Sequence, residues 1–164
     1  QDPFFYLNQG DGTFRRVNRE CGAAAGRKLV GRGLATGDLD NDGDVDLVVT
    51  VTNDFPVVLE NRGVSSAHFV AFDVRGAGQQ LSGIGATVRL TVGGRTLVQE
   101  VRPQRSYLSS CDPRVFFGLG AAKGAERAEV TWPGGTTRSF RNIPADRFIV
   151  ISPDAKPRLA AAEK

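Results

Sequence analysis

The chain has 164 residues with 20 Gly and 8 Pro, which suits one or two small domains made of short strands and tight turns. No apolar run approaches the ~18 residues of a membrane-spanning helix, so no membrane span of that kind is expected. Charge is divided: residues 1–63 hold 7 Lys+Arg against 10 Asp+Glu, and residues 64–164 hold 14 against 8. The arginines of the second part stand singly along strands without an aromatic-basic motif, which argues against nucleic acid as a partner. A solvated surface, or an anionic glycan or acidic protein partner, fits that basic balance better.

In chain order, Phe4–Leu7 and Thr13–Val17 read as strands around Asn8-Gln-Gly-Asp-Gly12, whose Asp11-Gly12 pair is a strong hairpin signal. Cys21-Gly-Ala-Ala-Ala-Gly26 reads as a low-complexity loop. The most informative run follows: Asp38-Leu-Asp-Asn-Asp-Gly-Asp-Val-Asp46. Carboxylates at positions 1, 3, 5 and 9, with glycine at position 6, form a loop that can wrap a calcium ion, a hard cation taking six to eight oxygen ligands. Asp38, Asp40, Asp42 and Asp46 are expected to give side-chain oxygens, and Asp44 its backbone carbonyl. Gly43 permits the sharp turn because it lacks a Cβ.

An EF-hand is rejected by the flanks. Position 12 is Val49 rather than the bidentate Glu, and both sides are wrong for helices. Asp46–Thr52 is β-branched, and Gly31–Gly37 is too rich in glycine. The loop therefore sits inside a β-hairpin.

Pro56–Glu60 is a further strand, Asn61–Ser66 the expected domain junction, and His68–Val74 opens the second domain. Ala86–Val92 alternates, with Ala86, Val88, Leu90 and Val92 on one face, as in a half-buried strand. Gly93-Gly94 turns the chain into Arg95–Arg102. Arg127–Trp132, Thr136–Arg141 and Arg147–Ile151 complete an antiparallel β-sandwich. Phe117-Gly-Leu-Gly120 reads as a turn packed under a strand. The organisation expected is a blade segment with the calcium loop over 1–63, a sandwich over 64–152 and a disordered tail over 153–164.

The residues carry a resemblance. Gly33–Thr50 resembles an FG-GAP or VCBS repeat, the blade unit of integrin-type β-propellers, with Leu7–Phe14 and Leu59–Gly63 resembling blade ends. The remainder resembles an ASPIC/UnbV domain, as in cartilage acidic protein, through Val74–Gly76, Gly83–Ala86, Ser106–Ser109, Asp112–Arg114, Phe117–Gly120 and Val130–Gly134. Cys111 and Phe116 depart from that family's pattern, which speaks against a polar role for their loop. The resemblance implies an all-β protein, a partial propeller blade followed by a sandwich, that works outside the cytoplasm, secreted or periplasmic. The missing initiator Met and signal peptide fit a mature or processed chain.

No catalytic constellation stands out. His68 reads as a structural or surface residue, and no third group orients a Cys111–His68 pair. Ser106, Ser109 and Ser110 lie in no nucleophile elbow. Asp112 and Arg114 read as a salt bridge that fixes their turn. Trp132 shares a strand face with Val130 and reads as core, and Tyr107 paired with it would otherwise offer a carbohydrate platform. Two cysteines, Cys21 and Cys111, in an extracellular chain suggest a disulfide.

The expectation is a non-catalytic, calcium-stabilised interaction or adhesion module that docks another polypeptide or a glycan. Its strand edges would pair with another chain, or with more of a longer parent, by strand addition. Two rival readings stay open: an accessory domain of a carbohydrate-acting or redox enzyme, and a repeating subunit of an extracellular filament or envelope complex.

Overall fold

A computed structural model describes residues 3–63, 66–78 and 82–159. These form, in order, β1 (Tyr6–Asn8), β2 (Phe14–Arg16), a 3₁₀ turn (Ala23–Gly26), β3 (Gly31–Gly37), β4 (Asp46–Val51), β5 (Val57–Leu59), β6 (His68–Val74), β7 (Thr87–Val92), β8 (Arg95–Glu100), β9 (Val115–Gly120), β10 (Gly124–Thr131), β11 (Thr137–Pro144), β12 (Arg147–Ile151) and β13 (Arg158–Leu159). The protein is all-β, as expected.

The N-terminal segment holds a β1–β2 hairpin and a three-stranded sheet, β3-β4-β5. The hairpin turn closes on side chains, which is why Asn and Asp stand there. The Asn8 side-chain oxygen accepts the Gly10 N–H at 2.8 Å, and Asp11 accepts the Thr13 N–H at 2.9 Å. Neither sheet closes, so this is part of a blade rather than a propeller.

The rest is a sandwich of two four-stranded sheets, β11-β10-β7-β8 and β13-β12-β6-β9. Alternation fills its core from both sides. Val70, Phe72 and Val74 of β6, Val88 and Leu90 of β7, and Ala128 and Val130 of β10 are all buried in one cluster. Trp132 belongs to it too, its indole N–H donating to the Arg75 carbonyl at 2.7 Å. Tyr107, by contrast, is 70% exposed, so the two aromatics form no shared platform.

Four expectations are corrected. Phe117–Gly120 is not a turn but the last four residues of strand β9, which pairs with β6; Val115, Phe117 and Leu119 alternate into the core while Gly118 and Gly120 face outward. The sandwich is not wholly antiparallel, because β12 runs parallel to β6. β12 enters directly from β11 of the opposite sheet, and Asp146, at φ 56°, makes that crossing by donating its N–H to the Phe69 carbonyl at 2.7 Å. Its carboxylate contacts His68 Nδ1 at 2.7 Å, which gives the single histidine a structural place. The tail is ordered as far as residue 159: β13 pairs with β12, and Arg138 donates to the carbonyls of Ser152, Pro153 and Ala155. Residues 160–164 of the expected tail, and Val64 and Ser65 of the expected junction, lie outside the described residues. Finally, the cysteines are not bonded. Cys21 is exposed, while Cys111 is buried against β3 with its Sγ accepting the Thr36 N–H at 3.4 Å.

Leu90 is fully buried in the middle of β7, whereas Val98 on the neighbouring β8 is 55% exposed. Leu90→Ala should lower unfolding free energy by about 2–5 kcal/mol, and Val98→Ala by about 0.5 kcal/mol or less, both read from urea denaturation.

Candidate metal centre

The acidic loop spans the turn between β3, ending at Gly37, and β4, beginning at Asp46. Its crowding is resolved locally by backbone donors. Asp38 accepts the N–H groups of Asp42 at 3.2 Å and Gly43 at 3.0 Å, and Asp42 accepts that of Asp44 at 2.8 Å. Asn41 sits at φ 60° and Gly43 at φ 99°, so the chain doubles back and turns the carboxylates inward. Side-chain oxygens of Asp38, Asp40 and Asp42 thereby converge within 4.8 Å of one another. A hard divalent cation bound by carboxylates suits that donor set.

The five expected residues stand in three places. Asp38, Asp40 and Asp42 form the convergent group. Asp46, 3% exposed, accepts a backbone N–H with each oxygen, Leu39 at 2.9 Å and Asn61 at 2.8 Å. It staples the loop to the strand exit after β5. The Asp44 carboxylate lies against Gly63, where a Cβ would come within 1.8 Å of its Oδ2. Gly63, at φ 55°, is thus the residue that lets the exit pass the loop.

Electrostatics add a cost. Burial is the main cause that raises the Asp38 carboxyl pKa, with Asp42 adding to it and the Gly43 N–H and Arg114 opposing. Asp44 is raised by burial first, then by Asp42, Asp46 and Asp40. An acid whose folded pKa lies above its unfolded value binds more protons when folded. Its ionised form then weakens the fold above that pKa, and the penalty is relieved as pH falls through it. A bound cation would relieve the same penalty without a pH change.

The loop does not stand alone, a feature the sequence left unread. Phe69 of β6 packs directly under the turn, so that a Cβ on Gly43 would lie 2.0 Å from its ring. Arg114, just before β9, reaches back 73 residues to donate to the Asn41 side-chain oxygen at 2.8 Å, and to the Asp38 carbonyl at 3.0 Å. Its Nε donates to Asp112 at 2.7 Å, and the guanidinium lies 5.2 Å from the Phe116 ring centroid and 5.0 Å from that of Phe148. The expected Asp112–Arg114 pair is therefore present at 2.6 Å, but it also serves the loop. Beside it, the Asp112 N–H donates to the Thr36 carbonyl at 2.8 Å, extending the edge of β3 into the sandwich. The Asp-Pro-Arg motif was visible; its partner across the fold was not.

Gly43→Ala should destabilise the protein by about 1–3 kcal/mol, because a Cβ meets both a strained φ and the Phe69 ring. Gly118→Ala, where nothing lies within 4 Å and φ is ordinary, should stay within about 1 kcal/mol of neutral. Paired denaturant titrations separate the two.

Comparison with known families matches the same two parts. The model for ASPIC and UnbV matches residues 76–158, half of the chain. That for an FG-GAP-like repeat matches residues 1–49, and that for an FG-GAP repeat residues 30–69; both include the acidic loop. No curated protein matches the chain.

Proposed function

Since the chain belongs to the ASPIC and UnbV family, with FG-GAP repeat sequence ahead of that domain, we propose that it is a non-catalytic, calcium-stabilised interaction module that works outside the cytoplasm. The two domain types together mark an extracellular-type module. The observation that carries the calcium reading is the convergence of Asp38, Asp40 and Asp42 in the FG-GAP repeat. Compartments rich in calcium would keep such a loop filled.

Asp38, Asp40 and Asp42 would hold the ion, which neutralises the carboxylates and fixes the turn. The chain's own contribution is to bring these oxygens together before the ion arrives, through the Asp42, Gly43 and Asp44 amides and the Asp46 staple. Because calcium would bind the folded loop alone, it should raise the melting temperature by mass action, worth about 2.7 kcal/mol at a hundredfold excess over Kd. Differential scanning calorimetry in calcium against chelator should show that rise, and Asp40→Asn with Asp42→Asn should abolish it. An equal melting temperature in both conditions would remove the calcium reading.

The interaction reading rests on the N-terminal surface. Phe4, Tyr6, Leu7 and Phe14 are each half exposed or more on or beside the β1–β2 hairpin, and Val58 is 57% exposed on β5 at the outer edge of its sheet. Edge strands with apolar side chains invite another strand, so the partner is a polypeptide that adds to this edge. Amides of Tyr6–Asn8 and Phe14–Arg16 should exchange quickly in the isolated chain and slow when it associates. Sedimentation showing a monodisperse monomer with those amides strongly protected would overturn this part.

A further inference from the structure

We propose that Arg114 is the positioning residue of the metal loop: a guanidinium from the sandwich that holds the Asp38–Asn41 turn in its ion-binding shape and ties calcium binding to the junction between the two parts of the chain. The inference deepens the calcium reading and rests on it.

Three observations carry it. Arg114 donates to two groups of the turn that are not among the convergent carboxylate oxygens, the Asp38 carbonyl and the Asn41 amide oxygen. Asn41 is at φ 60°, a left-handed turn conformation that Asn tolerates, and its side-chain oxygen accepts the Arg114 N–H from that position. The guanidinium is itself fixed, by two contacts to Asp112 and by the faces of Phe116 and Phe148, with its side chain 22% exposed. A planar fork that hydrogen-bonds three residues and lies against two aromatic faces is something Arg provides and Lys does not.

The sign of the effect separates positioning from charge. Arg114 brings a positive charge beside a cation site, so by Coulomb's law alone its removal should tighten calcium binding. If it positions the loop, its removal weakens binding, as loss of supporting partners around metal ligands typically does, by about 10–100-fold. Coupling between sites is reciprocal, so calcium should in turn protect the contacts that Arg114 organises.

The test is calorimetric titration of calcium into the chelator-stripped full chain. Four variants accompany the parent: Arg114→Gln, Arg114→Lys, Asn41→Gly and Arg95→Gln. The last makes the same charge change on the exposed β7–β8 hairpin. Asn41→Gly removes the acceptor on the loop side while easing the positive φ, and so keeps the test alive if Arg114→Gln fails to fold. Expected are one bound calcium in the parent, affinity lower by about tenfold or more in Arg114→Gln, smaller losses in Arg114→Lys and Asn41→Gly, and Arg95→Gln within about twofold of the parent. Hydrogen exchange gives the second readout: calcium should slow the Asp112 and Arg114 amides in the parent and leave them unchanged in Arg114→Gln. Affinity equal to or tighter than the parent's in Arg114→Gln or, should that variant not fold, in Asn41→Gly overturns the proposal while the calcium reading stands. Absence of calcium uptake by the parent overturns both.

Discussion

Five carboxylates in nine residues repel one another, and the fold around them is arranged to bear that repulsion. Backbone amides of Leu39, Asp42, Gly43, Asp44 and Asn61 point at carboxylate oxygens, and one guanidinium from the far side of the chain lies against the turn. The donors come from three local structures: the turn itself, the exit from β5, and the approach to β9. Satisfying the acidic loop therefore fixes the β3–β4 hairpin, the path through the junction and the placement of the sandwich at once. A buried carboxylate without such partners would cost several kcal/mol, so these contacts are a condition of folding.

The two parts of the chain are stabilised by different physics. Among the described residues, the buried hydrophobic side chains Ala25, Leu29 and Val57 precede the junction and twenty others follow it. The sandwich has a shared core between its sheets. The N-terminal segment lacks a comparable core, and its hairpin and three-stranded sheet leave aromatic side chains in water. A segment with so little buried area gains its rigidity from an ion, from contacts to its neighbour or from a partner, and the acidic loop, Arg114 and the exposed β1–β2 surface correspond to those three sources.

The contact between the parts also protects an edge. β3 would otherwise end its sheet with unpaired groups, but Thr36 exchanges bonds with Cys111 and Asp112. Gly33 allows the 107–109 loop to pass, since a Cβ there would lie 2.6 Å from Ser109 Oγ. Cys111 is thus a small buried side chain at a crowded crossing, where a larger residue would force the strands apart.

The sequence by itself determined what depends on neighbours along the chain. Strict alternation in Ala86–Val92 and around Val130 predicted the buried faces, Asp11-Gly12 predicted the first hairpin, and the spacing of Asp38, Asp40 and Asp42 predicted convergent oxygens. It misread Phe117–Gly120 as a turn, because two outward glycines mask the period of two that Val115, Phe117 and Leu119 keep along β9. It implied a disulfide from a count of two, although cysteine pairing depends on distance in space. Tertiary structure alone decided that Asp46 staples while Asp38, Asp40 and Asp42 converge, that Phe69 lies beneath Gly43, and that Arg114 serves a loop 73 residues away. Spacing reports which side chains share a face or a turn. Which face meets which turn is set by how β6, β9 and β12 pair, and that pairing brings together residues with no relation along the chain.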